Sequence, residues 1–561
     1  MAIDAIPPAL ILGLGAFLLP LSGRHLRPLL VLGLPLVVLL QVWQLADGSG
    51  TVLHLLDYQL VFMRVDALSR LFAIIFALMA FAGGLYALKQ ERVFELVAAY
   101  VSAGSAIGIT MAGDLITLFI FWETLALSAT VVVLSAGGQR VRRASMRYLL
   151  VHLFGGSLLM VGIFLQISAA GTTAFEAMQP DSLGCGLILA AVLVNAAAPP
   201  LSAWLPDAYP EASYSGTVFL SAFTTKTAVY VLLRGFPGAE ILIFFGCFMM
   251  FYGIIYALLE NDMRRILAYS IVNQVGFMVT GIGIGSEMAL NGAAAHAFTH
   301  IIYKALLLMS AGSVLYMTGK RKCTDLGGLF QSMPLTTLCA IVGALSISSF
   351  PLTSGFISKS MISQAAADQH LAIAWFLLTA ASAGVFLHAG IKFPWFVFFQ
   401  KDSGMRPSDP PWNMRLAMIL FATFCIGLGI WPEYLYALLP FSVDYAPYTV
   451  PHVVNMLQLL MFSGLAFFLL LPLMKRTLTI TLDVDWFYRW LAPELLGVLM
   501  RWGGRIDQSV RGFALWLLGR LVSQAASLHG PQGHFARAAS SSRAAAVVVM
   551  ALGVMLVIYY F

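Results

Sequence analysis

The stretch AAAHAFTHIIYKALLLMSAGS sets His296, His300 and Lys304 four residues apart inside an apolar run. On a helix that spacing puts all three on one face. Histidine exchanges protons near neutral pH, so two histidines and a lysine in one stripe form a candidate proton path. Histidines at i, i+4 also suit zinc, but no third and fourth ligands accompany them, and no metal site is expected. Other ionisable groups stand equally deep in apolar sequence. GDLITLFIFWETLALSA holds Glu123, SAFTTKTAVYVLLR holds Lys226, and SISSFPLTSGFISKSMI holds Lys359. ASAGVFLHAGIKFPWFVFF carries His388 and Lys392 one turn apart, and His152 lies in another apolar run. Charge at membrane depth is costly and marks ion or proton pathways by default. We read Glu123, Lys226, His296, His300, Lys304 and Lys359 as the relay, with His152, His388 and Lys392 as further candidates.

These groups need elements to position them, and the composition says which. The 561 residues are 60% hydrophobic and 10% charged, against roughly 25% charged in soluble domains. A bilayer core takes about 20 apolar residues per helix, and on that rule the chain contains about sixteen spans. The expected class is an all-α polytopic membrane protein. Lys and Arg collect in alternate loops, including Arg140, Arg142 and Arg143, Arg264 and Arg265, and Lys320, Arg321 and Lys322. By the positive-inside rule these face the cytoplasm. Both termini of this multi-pass chain then lie on the non-cytoplasmic side of a bacterial inner membrane. The N-terminus has no basic residue ahead of its first apolar run and does not read as a signal peptide.

Two spans are interrupted. LVNAAAPPLSAWLPDAYPE carries Pro199 and Pro200 just after Asn195, and FPLTSGFISK carries Pro351 and Gly355 just before Lys359. Broken helices at membrane depth expose backbone groups that survive only inside protein or against a watery cavity. Each break falls in the fourth span of a five-span group. Five is odd, so the second group is inverted relative to the first, a common transporter plan. The expected organisation is an N-terminal part (1–92), a first half (93–235), a second half (236–400), two spans (401–475), a cytoplasmic-side amphipathic helix (476–542) and a final span (543–561). Within 485–528, Trp, Leu and Phe alternate at helical intervals with Arg489, Arg501, Arg505, Arg511 and Arg520, as in helices lying along a membrane surface. Pro493 and Gly503–Gly504 are expected to interrupt it.

FWE at 121–123, WLPDA at 204–208, KTAVY at 226–230, RRILAYS at 264–270, the His296 stretch and FPLTSGFISK at 350–359 resemble the antiporter-like subunits of respiratory complex I, membrane-bound hydrogenases and multisubunit Mrp-type cation/proton antiporters. The resemblance covers roughly residues 60–400, and the D-type subunit of the Mrp antiporters is nearest. It implies that Glu123 tunes a lysine beside it, that Lys226 bridges the halves, that His296, His300 and Lys304 relay protons, and that Lys359 ends the second half-channel. One departure stands out: Asn195 occupies the position at which the family carries a lysine. The implied function is a proton-translocating, non-enzymatic subunit of a monovalent cation/proton antiporter, with H+ and, as a candidate, Na+ as its ions. Other membrane subunits and the lipid bilayer are its implied partners. The alternatives are a subunit of a redox-driven pump and a non-transporting assembly subunit. No cofactor is expected, since neither a cluster-ligand spacing nor a nucleotide loop occurs, and the charge pattern does not call for nucleic acid. A lipid-acting enzyme lacks a nucleophile–base pair.

Overall fold

The apolar runs fold as helices. The computed structural model describes residues 6–55, 58–472, 483, 486–537 and 539–561, in two compact units, Met1–Val484 and Asp485–Phe561. The first unit opens with α1 (Pro8–Gly15) and α2 (Leu26–Gln44), then strands β1 (Gly50–Leu55) and β2 (Tyr58–Arg64). There follow α3 (Ala67–Tyr86), α4 (Val93–Met111), α5 (Leu115–Leu134) and α6 (Gln139–Ala170). The first interrupted region comprises α7 (Leu183–Asn195), α8 (Trp204–Ala208), α9 (Gly216–Ala222) and α10 (Thr224–Gly235). Next come α11 (Ile241–Leu259), α12 (Met263–Ile284), α13 (Glu287–Thr318), α14 (Pro334–Ile347), α15 (Ser354–Asp368) and α16 (Ala372–Val385). Two π-helical turns, Phe386–Lys392 and Trp395–Phe399, prolong α16. The unit closes with α17 (Trp412–Ile430), α18 (Glu433–Tyr436) and α19 (Val450–Leu470). Among the described residues, thirteen helices are long and apolar enough to cross a membrane, and Pro8–Leu18, Leu183–Asn195 and Pro334–Ile347 are shorter apolar helices.

Local chemistry sets many of the ends. Asp66 and Ser69 form a reciprocal capping box that starts α3, and Asp114 accepts the Thr117 N–H at 2.7 Å to start α5. Such caps satisfy N–H groups that have no partner within the helix. The long helices α6 and α13 each stop at a left-handed glycine, Gly171 and Gly319, the conformation that Cβ-bearing residues resist. Burial then sorts the helices. The apolar stretch of α12 is wholly enclosed by protein, whereas α19 is largely exposed. The outward Leu, Phe and Val side chains are a liability in water and a match for lipid.

Two expectations are corrected. The chain is predominantly helical rather than all-α, because β1 and β2 pair as an antiparallel hairpin between α2 and α3. Thr51, Val52, Val61 and Phe62 are of the β-branched and aromatic types that favour strands. In the second unit, α20 (Ala492–His529) runs unbroken past Gly503–Gly504. Pro493 lies in its first turn, where a missing N–H costs nothing. The part of the expected amphipathic segment at 476–482 and 484–485 lies outside the described residues. α21 (Ser541–Tyr560) closes that unit. Within the single apolar stretch Gly216–Gly235, long enough to cross a membrane, α9 and α10 meet at an irregularity at Phe223, three residues before Lys226.

The acidic residues that follow the first break, Asp207 and Glu211, are neutralised by ion pairs. Arg147 grips Asp207 in a fork, with Nε to Oδ2 at 2.6 Å and Nη2 to Oδ1 at 2.9 Å. Glu211 accepts Arg140 at 2.8 Å and Arg321 at 3.0 Å, and Arg321 also reaches Asp262 at 2.8 Å. Burial works against the Arg321 charge, but Asp262 and Glu211 hold the guanidinium above its ordinary range. The buried Arg264 donates to the carbonyls of Pro210, Ala212 and Ser213 at 2.8–2.9 Å. The loop after the first break is thereby fastened to the start of α12.

Candidate functional site: a buried chain of lysines and histidines

Both expected breaks are present, and they solve the same problem differently. The connectors 196–203 and 348–353 hold non-glycine residues in the left-handed region: Ala197 (φ 61°) in one, Ser349 (60°) and Leu352 (67°) in the other. That conformation is uncommon without glycine and carries local strain. It lets the chain turn sharply and leave carbonyls free at the ends of α7 and α14. At the first break the Trp204 indole N–H donates to the Val194 carbonyl at 3.0 Å. At the second the Lys359 ammonium donates to the Ile347 carbonyl at 2.6 Å. Pro199 and Pro200 stand in the first connector and Pro351 in the second. Gly355 belongs to the first turn of α15. A Cβ there would lie 1.8 Å from the Ser346 carbonyl oxygen, so only glycine lets α15 approach α14 this closely.

Lys226 repeats the Lys359 arrangement at the α9–α10 junction. Its Nζ donates to the Ser221 carbonyl at 2.8 Å and to Thr225 Oγ1 at 3.0 Å. Each ammonium is enclosed by protein, has no counter-ion among the described residues, and rests on carbonyl oxygen freed by an irregular helix. The lone pairs compensate part of the desolvation.

α13 supplies the middle of the site. His296 lies between α15 and α12: Nδ1 is 3.0 Å from Ser358 Oγ and Nε2 is 3.2 Å from Gln274 Oε1. Tyr303 donates to the same Gln274 oxygen at 3.0 Å. Lys304 donates to Ser270 Oγ at 2.8 Å and more weakly to the Leu267 carbonyl at 3.3 Å. Neither nitrogen of His300 has a hydrogen-bond partner among the described residues, although both are buried. Its electrostatic neighbours are Lys226, Lys304, His296 and Lys359. Lys359 also sits 4.8 Å above the Phe277 ring, a favourable cation–π position. The expected stripe and the two expected lysines thus meet in one buried neighbourhood. Ser270, Gln274, Tyr303 and Ser358, which bridge them, are not distinguished by the sequence reading. The i, i+4 spacing of Ser270 and Gln274 within an apolar run is the signal that could find them.

The remaining candidates separate. Glu123, half-buried on α5, makes no ion pair among the described residues, and its buried Oε1 has no hydrogen-bond partner there. The implied lysine beside it is not there. The carboxylate lies instead against α6, where a Cβ on Gly156 would be 1.8 Å from Oε1. Asn195, at the end of α7, places Oδ1 2.9 Å from His152 Nδ1. His388 is tied by Nδ1 to the Gly384 carbonyl at 2.9 Å. Lys392 caps the end of α11, donating to the carbonyls of Ala257, Leu258 and Glu260 at 2.5–3.1 Å. Cations suit that helix end, so its contacts are those of a cap. Among the described residues, no three His, Cys, Asp or Glu side chains are grouped to hold a metal.

A predominantly helical body with thirteen membrane-length apolar helices, and with Lys226 and Lys359 buried at helix irregularities without a counter-ion among the described residues, has the build of an ion-transporting membrane protein. Residues 112–386 match the family described as NADH:quinone oxidoreductase/Mrp antiporter, TM. It is 27% identical over 379 residues to the D subunit of the Na(+)/H(+) antiporter of Alkalihalophilus pseudofirmus, covering 62% of this chain and 76% of that protein. Its fold resembles a chain of the Mrp complex from Dietzia sp. (TM-score 0.68, 20% identity, 77% of this chain and 95% of that one). It also resembles a chain of the membrane-bound sulfane sulfur reductase, an archaeal respiratory membrane complex (TM-score 0.72, 22% identity, 98% and 99%). At these identities the structural likenesses speak for the fold.

Proposed function

We propose that this chain is the proton-translocating subunit of a multisubunit monovalent cation/proton antiporter in a bacterial inner membrane. Na+ is the candidate coupled ion. The single observation that carries the reading is the convergence of Lys226, His300, Lys304, His296 and Lys359 in one buried neighbourhood, with no counter-ion among the described residues. A structural ammonium would be paired or held at the surface. These are held by neutral oxygens, which accept a charged or an uncharged amine at modest cost, and that is what passing a proton requires. Two unit charges ~10 Å apart at an effective dielectric of ~20 interact by about 1.7 kcal/mol. A proton on one lysine therefore alters the occupancy of the next, and a field at one end of the chain reaches the other.

The finer architecture belongs to the same reading. The paired breaks support two inverted halves, 93–235 and 236–400, within about sixteen crossings. The basic loops face the cytoplasm, both termini lie on the other side, and α20 lies along a membrane surface. Glu123 is the carboxyl group of the relay in the first half. The relatives also include the N subunit of NADH-quinone oxidoreductase from Desulforudis audaxviator, which keeps a redox-driven assembly as the second reading.

The test is Na+-driven proton movement, followed with a pH-sensitive dye, in vesicles carrying the assembled complex and no electron donor. Lys226→Ala and Lys359→Ala, made separately, are each expected to abolish it while the complex stays assembled. If neither does, the chain is an assembly subunit. Proton movement that requires an electron donor would favour the redox reading.

A further inference from the structure

His152 on α6 stands against Asn195, at the end of α7 beside the first break. It is wholly buried on α6, packed between Tyr148 (ring centroids 4.1 Å apart, tilted) and Trp204 (4.6 Å, edge-on). Trp204 is the residue that closes the first helix break. Asn195 Oδ1 lies 2.9 Å from Nδ1. That oxygen is only an acceptor, so Nδ1 carries the hydrogen and Nε2 keeps a lone pair. Nε2 is buried and has no partner among the described residues. Buried polar atoms are nearly always satisfied, and an orphan nitrogen on a titratable ring beside a helix break points to a transient ligand.

The surroundings are built for one. Glu123 approaches α6 at Gly156, one turn beyond His152, and Gly155 leaves room for Asn195, whose Oδ1 would be 3.5 Å from a Cβ there. On the other side Tyr148 OH is 3.2 Å from Thr224 Oγ1. Thr224 is the neighbour of Thr225, which accepts the Lys226 ammonium. The ionisable groups on the elements packed about the ring are thus Tyr148 on its own helix, Glu123 on α5, and Tyr209 and Asp207 beyond Trp204, the last already paired with Arg147; Lys226 lies further along, past Tyr148 and Thr224.

We infer that His152, held by Asn195, is the proton-binding group of the first half, standing between Glu123 and Lys226. The ring accepts a proton at Nε2 and becomes an imidazolium, its Nδ1–H still on Asn195. It releases the same proton from Nε2, so the imidazole returns to its starting tautomer. Asn195 is a positioning residue: it fixes which nitrogen is free. The inference rests on the proton-translocating reading above.

The test uses the assembled complex in vesicles, with Na+-driven proton movement measured from about pH 5.5 to about 9, a range that brackets ordinary histidine titration. His152→Gln keeps the size and a hydrogen bond to Asn195 but cannot titrate, and is expected to lower the rate at least tenfold. Asn195→Asp places a carboxylate against Nδ1, which favours the imidazolium, and is expected to move the pH profile upward by about one unit. His152→Gln combined with Asn195→Lys, which restores a titratable group to the same pocket, is expected to recover part of the rate. Wild-type transport in His152→Gln overturns the inference. So does an unmoved pH profile in Asn195→Asp, which also decides the matter if His152→Gln fails to assemble. Lys359→Ala is run alongside: if it is inactive while His152→Gln is normal, only this inference falls. If Lys226→Ala and Lys359→Ala are both normal, the broader reading falls.

Discussion

Replacing Gly355 by alanine tests whether the second break works as a rigid joint. The added Cβ would sit 1.8 Å from the Ser346 carbonyl oxygen. That is backbone and cannot swing aside like a side chain. Bringing the contact out to 3.0 Å, the shortest that real Cβ atoms show, requires α15 and α14 to separate by about 1.2 Å. Lys359 lies one turn further along α15, and its bond to the Ile347 carbonyl is 2.6 Å long. Stretched by the same amount it becomes about 3.8 Å and no longer counts as a hydrogen bond. A hydrogen bond to a charged group contributes about 1.5–3 kcal/mol. At about 1.4 kcal/mol per tenfold, loss of proton occupancy on Lys359 is expected to slow transport roughly ten- to a hundredfold. The assay is Na+-driven proton movement in vesicles, normalised to assembled complex. The control is Gly427→Ala on α17, where a Cβ meets nothing within 4 Å. Wild-type transport by a folded, assembled Gly355→Ala complex would refute the idea that this contact holds Lys359 in place.

Arg264→Lys is expected to remove at least two of the three carbonyl contacts that fasten 210–213 to α12; the loop should become susceptible to limited proteolysis, with a loss of about 2–4 kcal/mol. Breaking the Arg147–Asp207 fork with Arg147→Ala leaves a largely buried carboxylate and is expected to cost about 2–3 kcal/mol. Asp207→Asn in the same chain should recover much of that in thermal denaturation of the detergent-solubilised complex. A tag at 140–143 is expected to react only from the cytoplasmic side, and labelling from the opposite side would reverse the proposed orientation.

Much of the site was legible in sequence because each of its parts violates an apolar background. A lysine within a span, or prolines in the middle of one, stand out without any knowledge of the fold. Helix periodicity is local, so the His296–His300–Lys304 face followed from spacing alone. The irregularity at Phe223 left no such mark: neither proline nor glycine signals it, and the packing around α9 and α10 imposes it. The roles of His388 and Lys392 were ambiguous for a similar reason. Which carbonyls stood opposite Lys392 depended on the end of α11, 132 residues earlier.

The sequence by itself determined that the chain lies in a membrane, where its helices run, which two are broken and which ionisable residues fall inside them, because hydropathy and backbone propensity act over a few turns. Only the tertiary structure decided what each of those residues touches. It seated Lys226 and Lys359 on freed carbonyls and gathered them around His300. It also left Glu123 against a glycine and joined His152 to Asn195 across 43 positions of chain. Partners of that kind are chosen by packing between distant helices, and the cost of an unsatisfied polar atom in a dry interior fixes them.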